Sequence, residues 1–290
     1  MTTAFGLVAI LAAAGPAVGA EKRKGIHVRP GQDAISRALA RADDGDVLRI
    51  HKGRYPEAFT VEESVKLVAA GNRRPVIDAR CEERFAVAVR ADDVRLKRLK
   101  VIGADADSGF PTEVDFNGVT GGRAKDLVLR DTCDAEYGIN VFDTGAMEIV
   151  DSRAHGFDDA GFYVGQITST PTGPIRVRRS EAYGNLRGVI VENSTGGDIR
   201  VARNDLHDNN INFSNALGTG VLILNSDGVL VKSNDVSDNA GFGLHVSADA
   251  GANVINDNVF VGNPLDIFDQ GTGTCGTGNI STTGDSIPPC

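Results

Sequence analysis

The chain has no tryptophan, two methionines and four tyrosines in 290 residues. Without Trp, the largest aromatic surface for stacking on a ligand is missing. The four cysteines, Cys81, Cys133, Cys275 and Cys290, form no Cys-x-x-Cys pair and no zinc-ligand spacing. No Gly-x-Ser-x-Gly, His-Glu-x-x-His or P-loop pattern occurs, which sets aside nucleotide-driven and zinc chemistry. Positive charge is also short. Thirty Lys and Arg face 39 Asp and Glu, for a net charge of −9 and a pI near 5.1. Dispersed basic residues on an acidic chain give phosphates no patch, so nucleic acid is excluded as a partner. The same charge argues against a membrane-surface role. No run of 18 apolar residues follows the first twenty positions, so no membrane span is expected.

Glycine and asparagine are in surplus. There are 35 Gly and 18 Asn, and all Asn but one lie from Asn117 onward. Turns at regular intervals predict a repeat fold. Residues Phe5 to Val18 are small and apolar, and Val18-Gly19-Ala20 fits a cleavage site, so residues 1–20 read as a secretory signal peptide. The expected location is secreted, extracellular or periplasmic. An even cysteine count in such a compartment favours disulfides. Cys275 and Cys290 would staple a Gly- and Thr-rich tail, residues 270–290.

Short apolar strands recur. A first set reads Phe85–Val89, Tyr137–Val141, Gly161–Val164, Gly188–Val191, Gly220–Ile223 and Gly243–Val246. A second set reads Val94–Leu96, Leu127–Leu129, Met147–Ile149, Ile175–Val177, Ile199–Val201, Val229–Val231 and Val254–Ile255. A third pattern comes next, in Ser180–Asn185, Asn204–Asn209, Ser233–Asn239 and Asn258–Asn263. Three short strands per turn predict an all-β, right-handed parallel β-helix over 45–269, a single-chain solenoid. Alternation puts Val189 and Val191 in the core and Ile190 outside. Asn at a repeated corner is expected to ladder with the rung above. Open sheet ends need covers. Segment 21–44 is the N-terminal cap, with Ile35, Ala38, Leu39 and Ala42 on one face of a short helix. Cys81 and Cys133 are the remaining cysteine pair. They lie two rungs apart on this map, ~9.6 Å, which exceeds the ~7 Å reach of a disulfide unless a loop distorts the rungs.

The opening GDVLRIHKGRYPEAFTVEESVKLVAAG, with DDAGFYVGQ (158–166) and RGVIVENS (187–194), resembles secreted β-helix proteins of the pectin-lyase-like superfamily. The resemblance covers most of the chain. It implies polysaccharide lyases, hydrolases, uronate epimerases or non-catalytic relatives, and an acidic polysaccharide as partner. Mannuronan C5-epimerases carry Tyr-Gly-Phe-Asp-Pro-His followed by an acid. Here Tyr137-Gly138-Ile139-Asn140-Val141-Phe142-Asp143 keeps the Tyr, the Gly and the acid, but has Asn140 for Asp and Phe142 for His. The resemblance also brings Ca²⁺ into view. The clusters Asp43-Asp44-Asp46, Asp92-Asp93 and Asp105/Asp107 lack any calcium motif and read as solvated loop carboxylates. No cofactor is expected, and a monomer is.

Two outward columns carry candidate chemistry. His155, Tyr183 and His207 align in successive rungs as an acid/base strip, with Asp158, Asp159 and Asp208 nearby. The plainer reading is a corner that favours medium-sized polar residues, since Ser237 follows. The other column is Asn140, Tyr163, Ile190, Leu222 and His245, beside Tyr137 and Arg187. It would cradle a sugar chain, with Tyr137 as acid or base, Tyr163 as substrate contact, Arg187 clamping a carboxylate and His155 relaying protons. The plainer reading is an ordinary exposed sheet face. Asp143, Gln166, Asn193 and Asn225 read first as a turn-stabilising ladder and second as substrate contacts.

Overall fold

A computed structural model describes residues 25–105, 109–168, 173–209 and 218–290. The expected signal peptide, residues 1–20, lies outside the described residues. Strands occur in threes, and each pairs in parallel with the strand one turn before and after it. They build sheets of nine, ten and nine strands. The first sheet contains Phe85–Val89, Thr112–Asn117, Tyr137–Phe142, Ala160–Gly165, Arg187–Glu192, Thr219–Leu224 and Phe242–Val246. The second contains Glu148–Val150 and Ile175–Arg178, and the third Arg153–His155, Glu181–Tyr183 and Asp205–His207.

The core is a stack of inward side chains. Ile139, Phe162, Val189, Val221 and Leu244 share one register column, and all are fully buried. Two asparagine ladders flank the third sheet. Asn209 donates through Nδ2 to Ala182 O (3.1 Å) and to Asn239 Oδ1 (2.9 Å), and its own Oδ1 accepts from Asn185 Nδ2 (3.0 Å). Asn204, Asn234 and Asn258 repeat the arrangement at the other corner. Each buried amide thus satisfies carbonyls that the corner leaves without a strand partner. The ladder also dictates glycine beside it. A Cβ on Gly188 would lie 2.6 Å from Gly220 O and 3.2 Å from Asn209 Nδ2.

Corners turn through left-handed residues. Asp143, Gln166, Asn193 and Asn225 have φ of 46°, 57°, 48° and 44°. Asn and Asp tolerate this region best among residues with a Cβ.

The cap helix is Ala34–Leu39, shorter than the expected face, with Ile35, Ala38 and Leu39 buried. Its own N-terminal side chain makes no cap bond. The buried Glu57 carboxylate, from the sheet side, accepts instead from Ile35 N (2.9 Å), Ser36 N (3.0 Å) and Ser36 Oγ (2.7 Å). At the other end the tail adds an incomplete turn. Bridges Val254↔Cys275 and Val259↔Ile280 extend two sheets, and Cys275–Cys290 closes it.

Two expectations need correction. Strand Gly25–Val28 precedes the helix and pairs with Val47–Ile50, so the solenoid begins inside the segment assigned to the cap. Leu127–Leu129 is not a second-sheet strand. That place belongs to Arg123–Lys125, whose single inward residue is Ala124, and Val128–Arg130 lies in the third sheet. One small inward side chain makes no apolar doublet to find. The pairing left open for Cys81 and Cys133 is made: the two are bonded, with Cα atoms 5.5 Å apart. Arg80 and Cys81 are left-handed (φ 62° and 60°), and the register slips between Asp78 and Glu83, which carries Cys81 off its rung.

Candidate functional site

Both outward columns exist, on different sheets. Tyr163 pairs with Asn140 on one side and Ile190 on the other, and Leu222 and His245 continue the line. This face is not an ordinary exposed one. Tyr137, Ala160, Tyr163, Ile190 and Leu222 form a second apolar cluster outside the solenoid core, and Ile190 is 2% exposed. The Tyr137 and Tyr163 rings lie 4.7 Å apart, and Phe110 stacks on Tyr137 at 6.1 Å.

Polar groups thread through this cluster. Tyr163 donates to Glu192 Oε2 (2.8 Å). Arg187 pairs with Asp159, whose charge acts on the nearby Tyr137 phenol. Arg90 pairs with buried Asp115 at 2.5 Å, and Asp115 accepts from Asn140 Nδ2 at 2.6 Å. The Asn140 Oδ1 atom is buried and, among the described residues, has no hydrogen-bond partner. Such an orphan costs about 1–3 kcal/mol, so it asks for an explanation.

The electrostatics are set by burial among carboxylates. Burial, then Asp159 and Glu136, push the Tyr137 phenol far above its ordinary value. Burial and the Glu192 hydrogen bond do the same to Tyr163. Both are protonated phenols at neutral pH, suited to donate a proton rather than take one. Burial raises the Asp159 carboxyl despite Arg187, and burial with Asp159 raises Glu136. The Arg187 guanidinium does not face an open groove alone, because Asp159 already neutralises it.

The second column lies on the third sheet. His155, Tyr183 and His207 are in register, with ring centroids 4.9 and 5.3 Å apart and planes within 6° of parallel. All three are half-buried. Burial, with Arg130 and Lys100, lowers His155. Burial also pulls His207 down, but its hydrogen bond to Asp208 (2.8 Å), with Asp205 and Glu181, overcomes this and raises it. Asp159 is not part of this strip. The chain turns at Gly156 (φ 90°), so Asp159 reaches the first sheet's face while His155 stays on the third. Among the described residues, no hydrogen bond or ring contact joins the strip to Tyr137, Tyr163 or Arg187.

Asp143 and Gln166 sit at the left-handed corner beside the first sheet, and Asn225 Nδ2 donates to Asn193 Oδ1 there (2.8 Å). Two of the acidic clusters serve turns, and Asp107 of the third lies outside the described residues. Asp44 accepts from Ser64 N (2.9 Å), and Asp92 from Thr120 N (2.7 Å). Among the described residues, no group of three His, Cys, Asp or Glu is arranged for a metal ion. Sequence reasoning missed Asp115, Glu136 and Glu192. Asp115 and Glu192 were within reach, because they occupy outward register positions beside Asn140 and Gly165.

A parallel solenoid of three sheets with one polar, aromatic outer face defines the class. The model of the right handed beta helix region matches residues 137–281, half of the chain, so the chain belongs to that family. No curated protein matches. Three solved structures are similar. Pectate lyase Pel9A is 15% identical, with a TM-score of 0.69 over 84% of this chain and 71% of that one. The A-module of the Azotobacter vinelandii mannuronan C-5 epimerase AlgE4 is 17% identical, with a TM-score of 0.50 over 86% and 82%. PfbA, a surface adhesin of Streptococcus pneumoniae, is 10% identical, with a TM-score of 0.57 over 86% and 72%. At these identities the likeness is one of fold. Among the described residues, no helix is long and apolar enough to cross a membrane.

Proposed function

We propose that the protein is an extracellular or periplasmic β-helix that holds an extended acidic polysaccharide along the outer face of its first sheet. The carrying observation is the network on that face. Arg187 pairs with Asp159, Tyr163 bonds Glu192, and the Tyr137 and Tyr163 rings meet, across three adjacent rungs. None of these bonds is needed to build the solenoid. The two disulfides agree with an oxidising compartment.

The catalytic form of this reading is proton abstraction from a uronate, as in a lyase or an epimerase. A base takes the proton alpha to the carboxylate, and a cation holds the charge that develops. A lyase then breaks the C4–O bond. An epimerase returns a proton to the opposite face. Asp159, made more basic by burial, is the base; the Tyr137 phenol is the proton donor; Arg187 holds the carboxylate. A second reading is a binding protein without turnover. The closed Arg187–Asp159 pair and the departures at Asn140 and Phe142 favour it.

Alginate, polygalacturonate and rhamnogalacturonan distinguish these. Retardation in a polymer-impregnated gel supports the face as a groove. Appearance of unsaturated uronates, or of inverted uronates by NMR, identifies the catalytic form, and Tyr137→Phe then abolishes it. Retardation without product supports the second reading. No retardation on any polymer overturns both.

A further inference from the structure

The outer face of the first sheet does not run open at both ends. Near its N-terminal end lies a cavity of about 620 Å³. Its floor is the sheet itself, at Ala58, Thr60, Phe85 and Ala88. Its wall is the cap helix, at Ser36, Leu39 and Ala40. Thr60 and Ala88 are in the register column that continues as Asp115, Asn140 and Tyr163. The first two rungs of the column therefore carry small side chains where later rungs carry larger ones. That vacated volume is the cavity, and its size is that of a small-ligand pocket.

The wall is fixed in place. Glu57 is 7% exposed and ties the first turn of the cap helix to the sheet through three hydrogen bonds of 2.7–3.0 Å. Ile35 and Ala38 anchor its other side in the core. The rim is polar. The Arg84 guanidinium lies over the Phe85 ring at 4.8 Å, and Glu62, Glu63 and Glu83 line the opening. A guanidinium and carboxylates present donors and acceptors to hydroxyls. Phe85 is in register with Thr112 and then Tyr137, two rungs away, or ~9.6 Å at strand spacing.

We propose that this cavity is a terminal subsite that seats one end of a polysaccharide chain. A chain lying along the column meets the cap helix and cannot pass it. Only a chain end fills the space, and the face between the wall and Tyr137 holds a short oligosaccharide. The protein is thus an end-recognising one, on the reading that this face is a polysaccharide groove.

Calorimetric titration with alginate, polygalacturonate and rhamnogalacturonan tests it, each polymer used intact and after mild acid shortening to about one-tenth of its length. A site that counts ends gains affinity per gram about tenfold on shortening, equivalent to ~1.4 kcal/mol. Ala88→Trp, which fills the cavity, removes that gain. The inference is overturned if wild-type affinity per gram stays level or falls on shortening, or if folded Ala88→Trp keeps the gain. Should Ala88→Trp fail to fold, the wild-type length series decides alone. Binding without end dependence overturns only this inference. Absence of binding to all three polymers overturns the groove reading and this inference with it.

Discussion

Two outward columns of the same solenoid carry a tyrosine in their middle, and they differ in kind. Tyr183 sits between two histidines with near-parallel rings, half-buried, on the third sheet. Tyr163 sits between Asn140 and Ile190 on the first sheet, 7% exposed, with its hydroxyl bound to Glu192. The first column repeats and the second does not. In a solenoid, register stacks whatever side chains occur at equivalent positions, so a row of like rings is accounted for by the repeat alone. Where successive rungs carry different groups that bond to one another and bury one another, the repeat offers no account. That contrast, more than any single residue, places the candidate site on the first sheet.

The sharpest way to break the contrast is truncation of the two tyrosines. Tyr163→Ala is expected to cost about 3 kcal/mol, as for a buried aromatic in a core, and also strands Glu192. Tyr183→Ala, at a half-buried position, should cost about 1 kcal/mol. Urea midpoints at a common slope report both, and equal losses would erase the distinction. The ion pairs give a smaller version. Arg187→Ala leaves the half-buried Asp159 carboxylate without its partner and should destabilise by about 1–3 kcal/mol. Arg153→Ala breaks the more exposed pair with Glu181 (2.5 Å) and should change stability by less than about 1 kcal/mol.

The smallest effect separates the two histidines of the stack. His207 is raised when folded, so its contribution to stability is present below ~6.5 and fades as pH rises through its folded value. His155 is lowered, so its contribution is present above ~6.5 and fades as pH falls through its folded value. On acidification His207 should protonate first and His155 last, resolved by NMR of the ring protons. Asp208→Asn should bring His207 down toward His155, and an unmoved His207 would contradict the assigned cause.

Much of the fold was legible because a solenoid writes one residue per rung at each position. The columns His155–Tyr183–His207 and Asn140–Tyr163–Ile190–Leu222–His245 follow from strand spacing alone and are found in that register. Features without a repeat left no trace. Strand Gly25–Val28 is an edge with one fully buried side chain, Val28. Arg123–Lys125 points a single alanine inward. The Cys81–Cys133 bond depends on a local register slip that no spacing rule contains. The site was legible in outline only. Tyr137, Tyr163 and Arg187 are brought together, but their chemistry depends on which neighbours are buried with them. Asp159 turns away from the His155 strip to pair with Arg187 because of a corner at Gly156, and the sequence order around it pointed the other way.

The most direct test compares the two faces in one gel. In a matrix carrying alginate or polygalacturonate, the wild-type chain should be retarded. Arg187→Ala and Tyr137→Phe should lose most of that retardation, while His155→Ala and Tyr183→Ala keep it. Retardation that survives both first-sheet substitutions and disappears with the third-sheet ones would place the groove on the histidine stack and contradict the account.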